Sequence, residues 1–192
     1  VLDQEDTATI YYCDATSGND ANNGLAPTGV GVGPKQTFSG GVALIGDNTI
    51  LKFKRGGTYG ISDGKNITNN NVIITSYYNN DGSDDPTKVR PHLVMSGVGI
   101  LLGQSSVTSG VKFCNLTAAG VGAASAGAFA SIENNVEVYN CEASGFVGMV
   151  AHNGTQAGFG HSNAFAVDCY GYNMGGVGGV GYFMDLEQSA IL

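Results

Sequence analysis

Between His152 and Glu187 the sequence gathers two imidazoles, three carboxylates and three of its tyrosines. Glycoside hydrolysis uses an acid and a second carboxylate flanking the scissile bond, about 5–9.5 Å apart. Asp168, Asp185 and Glu187, with His161 nearby, are candidates for that chemistry provided the segments carrying them align. Tyr170, Tyr172, Tyr182 and His152 offer ring faces on which sugars stack, although Trp, a common sugar platform, is absent. Earlier, Asn79-Asn80-Asp81-Gly82-Ser83-Asp84-Asp85 places three carboxylates in seven residues. Asp81, Asp84 and Asp85 are therefore a candidate calcium loop with oxygen ligands. The order is not that of an EF-hand, and a solvated loop between strands is the preferred reading. Asp168 likewise reads first as a corner residue. No cofactor is required, and calcium is the one metal the sequence brings into question.

These residues sit on a repeat. The segment 136–145 is an alternating apolar run, then Asn140, then Cys141, then small residues and glycine. Variants of it recur at 111–118 and 164–171, with a weaker copy at 72–77. Leu116, Cys141 and Cys169 fall in one register, 25 and then 28 residues apart, whereas Tyr77 precedes Leu116 by 39. The longer interval must hold an extra strand or a long loop. Repeats of 20–50 residues indicate solenoids, in which each unit buries against its neighbours what it cannot bury alone. The runs are short, rich in Val, Ile, Phe and Tyr, and bounded by Asn, Asp, Ser and Gly, which is strand punctuation. Asn115, Asn140 and Asp168 stand where a strand must bend, and such residues tolerate left-handed dihedrals. A polar column of these three beside an apolar column of Leu116, Cys141 and Cys169 predicts a parallel β-helix. The right-handed form follows from the general rule for parallel crossovers.

Composition agrees. The chain has 192 residues, enough for one domain with a core, and 31 are Gly, about twice the usual share of roughly 7%. Hydrophobic residues make up 42%, which argues against a disordered Gly/Ser/Asn-rich chain. The net charge is −8, and all eight Lys and Arg lie at or before Lys112. Nucleic-acid binding and an anionic membrane surface are disfavoured, since both demand clustered cations. No run of 18 apolar residues suits a membrane helix. The four cysteines contain no C-x-x-C pair, and Cys141 and Cys169 are expected as stacked thiols rather than a disulfide.

In chain order, an acidic leader with Asp3, Glu5 and Asp6 precedes a strand at 10–13 and a loop at 14–27. Phe38, Val42 and Ile45 have helical spacing, though Gly40-Gly41 makes a weak helix. Residues 49–54 read as a strand after the turn Gly46-Asp47-Asn48. The expected organisation is 1–47 as leader, strand and cap, then 48–192 as about six β-helix coils, with further coils expected past residue 192. Several of these motifs resemble one family. Tyr11-Tyr12, Ser17-Gly18-Asn19-Asp20 with Asn23-Gly24 and Pro27, and Gly46-Asp47-Asn48-Thr49-Ile50 carry the first part. Phe53-Lys54-Arg55-Gly56-Gly57-Thr58-Tyr59 carries the rest. Together they are similar to the entry of the pectate-lyase-like β-helix superfamily. The resemblance covers residues 10–60 by motif and 66–185 by repeat texture. It implies an opening strand, a G-x-D-x-x-x-G loop, a capping helix and a GDT-like turn closing the bottom of a solenoid.

Members of that superfamily are secreted polysaccharide lyases and hydrolases and bacteriophage tailspikes. The resemblance thus implies an extracellular or virion module that engages polysaccharide or cell-surface glycan. The first setting is a tailspike or tail-fibre segment, as a homotrimer or a larger virion assembly. The second is the amino-terminal part of a secreted polysaccharide lyase or glycoside hydrolase, and a third is a structural spacer. Against a lyase stands the charge pattern. β-Elimination needs a base and a cation to neutralise the uronate, and the coils after Lys112 contain no Lys or Arg.

Overall fold

The computed structural model describes residues 7–97, 99–104, 110–120, 125–131, 136–146, 148–152, 165–172 and 190–191. Strand β1 (Thr9–Cys13) and helix α1 (Phe38–Val42) precede β2 (Thr49–Lys54), β3 (Thr58–Ile61) and β4 (Lys65–Ile67). Next come β5 (Val72–Tyr77), β6 (His92–Met95) and β7 (Gly99–Gln104). They are followed by β8 (Val111–Cys114), β9 (Thr117–Ala119) and β10 (Ser125–Ser131). The chain continues through β11 (Val136–Tyr139), β12 (Glu142–Ser144) and β13 (Gly148–His152). Strands β14 (Phe165–Val167), β15 (Tyr170–Tyr172) and β16 (Ala190–Ile191) complete the described set.

Successive triplets deal one strand to each of three sheets. The first sheet runs β1-β2-β5-β8-β11-β14-β16, the second β3-β6-β9-β12-β15 and the third β4-β7-β10-β13. Every pairing among the described strands is parallel. This is a three-sided parallel β-helix, all-β apart from α1, as the repeat predicts. The first sheet has seven strands against the six coils expected, about 29 Å along the stack at ~4.8 Å per strand. The difference arises at the start: β1 pairs with β2, so stacking begins ahead of residue 48.

Alternation along β8 and β11 sends one face inward, whereas β5 is buried throughout. Val111 and Phe113 of β8, then Val136 and Val138 of β11, are buried, while Lys112, Cys114, Glu137 and Tyr139 between them are not fully so. Sheet pleating explains this period of two. The inward residues stack rung on rung, Phe113 tilted against Phe129 of the third sheet with ring centroids 5.4 Å apart. Leu116 and Cys141 are buried, and Cys169 packs against the same core, so the predicted apolar column is present. The four cysteines are free, and burial pushes the Cys141 thiol well above its ordinary range. At neutral pH it is a protonated apolar filler.

Corners are held by left-handed residues. Asn115, Asn140 and Asp168 have φ of 58°, 49° and 52°, each just after its first-sheet strand. Register aligns them, and the Asn140 amide donates to Asn115 Oδ1 at 2.8 Å. A second column guards the other edge of that sheet. Asn48 and Asn71 have φ of 54° and 55°, and Asn71 Nδ2 donates to Asn48 Oδ1 at 3.0 Å. Gly110, at φ 72°, takes the same place before β8. Only Gly, Asn and Asp adopt this backbone routinely, which explains the choice of residues.

Helix α1 closes the bottom. Asp20 Oδ1 accepts from the backbone N–H of Gln36 and Thr37 at 2.8 and 3.0 Å, and its Oδ2 accepts from Thr37 Oγ1 at 2.7 Å. Thr37 in turn N-caps α1 by accepting from Gly40 N at 2.9 Å. The glycine pair that weakens the helix is required by the fit. A Cβ on Gly40 would lie 2.3 Å from Asp20 Oδ1, and one on Gly41 would lie 2.2 Å from Cys13 Sγ. Phe38 then reaches into the core and stacks on Phe53, centroids 5.9 Å apart.

The entry column makes a prediction. Asn71→Ala loses the amide ladder and puts into left-handed backbone a residue without the short polar side chain that lets Asn adopt it, so it should destabilise by about 2 kcal/mol. Asn71→Gly loses the ladder alone and should cost about 1 kcal/mol. Urea unfolding of the two variants checks the order, and equal midpoints would show that the backbone conformation is not what the position demands.

Candidate functional site

The corner between the first and second sheets is where coils differ. After β8 and β11 the chain turns in two residues, Asn115-Leu116 and Asn140-Cys141. After β5 it takes the whole of 78–91 before β6 begins. This is the long interval anticipated from the repeat. Its turns are shaped by its own carboxylates. Asp81 Oδ1 accepts from Ser83 N at 2.9 Å and Oγ at 2.7 Å, and Asp85 Oδ1 accepts from Thr87 N at 3.0 Å and Oγ1 at 2.6 Å. Such local bonds are what Asp supplies in turns.

The loop lies along the corner across several coils. Gly56 N–H donates to Val89 O at 2.9 Å, and Thr117 N–H donates to Pro91 O at 3.0 Å. Arg55, whose side chain is 2% exposed, makes a two-pronged pair with Asp84, Nε to Oδ1 at 2.6 Å and Nη2 to Oδ2 at 2.8 Å. Its Nη1 donates to Lys88 O at 2.9 Å, and Ser76 Oγ donates to Asp84 Oδ2 at 2.8 Å. Planar pairing of this kind is specific as well as strong. Burial alone would raise the Asp84 pKa, but the bonds from Arg55 and Ser76 outweigh it and hold the carboxyl below its ordinary value.

Two hollows flank Arg55. The first, about 280 Å³, is lined by Arg55, Lys88, Arg90, Thr117, Asn140 and Glu142 among others. The second, about 310 Å³, is lined by Asp14, Thr16, Ser17, Lys54, Arg55 and Gly57 among others. Within the first, the Arg90 guanidinium donates to Glu142 Oε1 and Asn140 Oδ1. Within the second, Lys54 Nζ pairs with Asp14 Oδ2 at 2.9 Å, and Ser17 Oγ donates to the same oxygen. Burial raises the Asp14 pKa, and those bonds, with the Thr16 and Ser17 amides, bring it below the ordinary value.

Glu142 belongs to an outward column on the second sheet. Thr58, His92, Thr117, Glu142 and Tyr170 are register partners on five successive rungs. Each is at least partly exposed, while Tyr59, Leu93, Ala118 and Ala143, one residue on, are buried. Tyr170 is 61% exposed, one rung of about 4.8 Å from Glu142.

Among the residues singled out from sequence, Tyr170 is therefore placed beside this groove. Tyr172 follows it in β15 and His152 ends β13, with side chains outside the described part. Asp168 is an exposed corner residue in register with Asn140 and does not line either hollow. His161, Tyr182, Asp185 and Glu187 lie outside the described residues. Asp81, Asp84 and Asp85 are not brought to one point: the first and third cap separate turns and the second holds Arg55. Among the described residues no group of three His, Cys, Asp or Glu is placed to hold a metal. The expectation that cations are missing from the later coils needs correction. The 78–91 loop carries Arg90 to Glu142 of β12, so the chain position of a cation does not give its coil. Arg90, Asn140 and Glu142 were not among the candidate site residues; Glu142 is legible as the residue after Cys141 in the repeat, but nothing local marks Arg90.

No family model and no curated protein matches the chain. Among solved structures, a GH136 lacto-N-biosidase from Eubacterium ramulus, as its selenomethionine derivative, is similar with a TM-score of 0.59 at 12% identity. The match covers 83% of this chain and 33% of that one, so this chain spans about a third of the length of its neighbour. At that identity the likeness is one of fold.

The Arg55–Asp84 pair makes a stability prediction. Asp84→Asn leaves a nearly buried guanidinium without its counter-charge and should cost about 3 kcal/mol, the low end for a broken pair because Asp84 is 27% exposed. Asp84 has a lower pKa folded than unfolded, so its contribution is present above about pH 4 and is lost as pH falls through the folded value. Denaturant midpoints between about pH 6 and pH 2 should fall in the parent and fall less steeply in Asp84→Asn. Parallel acid limbs would show that this pair does not carry the dependence.

Proposed function

We propose that this chain is a carbohydrate-engaging β-helix module acting outside the cell. One observation supports the reading above others: a rigid, polar groove in which Arg55, Arg90, Asn140 and Glu142 converge next to the exposed ring of Tyr170. Polar groups that fix orientation beside an aromatic face are what a polyol with apolar C–H faces needs. The fold neighbour is a glycan-cleaving enzyme, and the entry motifs resemble those of polysaccharide lyases, hydrolases and tailspikes. Both support the same class of ligand.

The setting we favour is the amino-terminal part of a secreted polysaccharide-degrading enzyme, because the matched solved structure is a glycoside hydrolase about two and a half times as long. In that setting the hollows around Arg55 hold sugar, and a reacting pair of carboxylates comes from elsewhere. Among the described lining residues of the first hollow, Glu142 is the one carboxylate. A tailspike or tail-fibre segment remains the second setting, on the strength of the entry motifs.

Binding is tested first. Purified chain applied to a glycan microarray is expected to bind at least one class of polysaccharide, and Glu142→Ala should weaken that binding about tenfold by stranding Arg90. A blank array would remove the carbohydrate reading and leave a stiff spacer. Light scattering separates the two settings: a monomer is expected for the enzyme part, and a trimer for the spike.

A further inference from the structure

Resting on that reading, we infer that the groove is built for neutral glycans and not for acidic ones. The cations around Arg55 give the first reason. Lys54 is held by Asp14, Arg55 by Asp84, and Arg90 by Glu142 with Asn140. Lys88 Nζ lies over the Tyr78 ring, 5.2 Å from its centroid. A uronate or sulfate entering either hollow would meet cations whose charge, Lys88 apart, is already offset by a seated carboxylate. It would also approach a chain of net charge −8, which repels polyanions at long range.

The same pairs suit hydroxyl groups. A guanidinium has five N–H donors, and the Arg90 bonds to Glu142 and Asn140 leave others for a ligand. A carboxylate has about four lone-pair positions, so Glu142 keeps acceptor capacity after Arg90 is served. Donor and acceptor then stand side by side on a planar frame, the pattern that two neighbouring hydroxyls on one sugar ring complement. Asn140 is itself anchored, its amide donating to Asn115 Oδ1, so the frame is fixed before ligand arrives. Tyr170, a residue 61% exposed, adds the apolar element one rung beyond Glu142 in the same outward column. At about 280 Å³, the hollow lies just under the usual range for small-molecule clefts.

The experiment measures binding of the whole chain to immobilised neutral polysaccharides (xyloglucan, glucomannan, galactan) and acidic ones (polygalacturonate, alginate). Each is run at low salt and at about 0.5 M NaCl, where charge attraction between exposed groups is largely screened. Expected is binding to at least one neutral polymer, changed less than about twofold by salt. Tyr170→Ala and Arg90→Gln should each weaken it about tenfold, and Tyr170→Phe should restore it. Urea unfolding of each variant separates loss of binding from loss of folding. Binding confined to the acidic polymers and lost in salt would overturn the neutral class while leaving the carbohydrate reading intact. Neutral binding untouched by both Tyr170→Ala and Arg90→Gln would overturn the groove as its location. No binding to any polymer would overturn both.

Discussion

Two columns of left-handed residues at the edges of the first sheet fix where every other part of the molecule falls. Asn48 and Asn71 stand where the chain enters that sheet, and Asn115, Asn140 and Asp168 where it leaves. A β-strand has a side-chain period of two, so a slip of one residue would turn the core face outward. Left-handed backbone is costly for most residues, and each such corner therefore resists moving along the chain. The amide bonds Asn71 to Asn48 and Asn140 to Asn115 tie each corner to the one below. Phe113 over Ile74 and Val138 over Phe113 then follow as consequences of register.

Upon this regular corner the 78–91 segment acts as an addition that changes its chemistry. A two-residue corner exposes little beyond an asparagine. The long loop brings Lys88, Val89 and Arg90 against Arg55 on one side and Glu142 on the other. It does so without a hydrophobic core of its own; the pairing of buried Arg55 with part-exposed Asp84 and backbone bonds to Gly56 and Thr117 hold it. Replacing such a pair with apolar residues is often harmless to stability, so what the two-pronged geometry supplies here is the placing of the loop.

The exit column is legible in the sequence because repeats of 25 and 28 residues share flanks as well as spacing. The entry column is not legible in the same way. Asn48 and Asn71 have unlike neighbours, and the column passes to a glycine at Gly110, which hides it in a glycine-rich chain. The cap is legible through Asp20 and the glycines, whose reasons appear only when Asp20 is seen to clamp Thr37 and Gly41 to abut Cys13. The groove is half legible. Glu142 and Tyr170 share a repeat position, yet Arg90 is 52 residues from Glu142 and belongs by sequence to a different coil. Periodicity reports residues that repeat, and a loop inserted once is by nature outside it.

That division has a physical consequence for recognition. Rungs of a parallel stack are about 4.8 Å apart and their outward residues keep fixed rows, so the scaffold loses little freedom on binding. The loop would ordinarily be the costly part to order. Here Arg55 and the Gly56 and Thr117 amides fasten it, and Glu142 with Asn140 orients the Arg90 fork. A glycan bound as proposed would therefore meet donors and acceptors already in place, and its affinity would come from few contacts. A shallow groove of modest volume gains most from such preorganisation, since it has little buried area from which to draw.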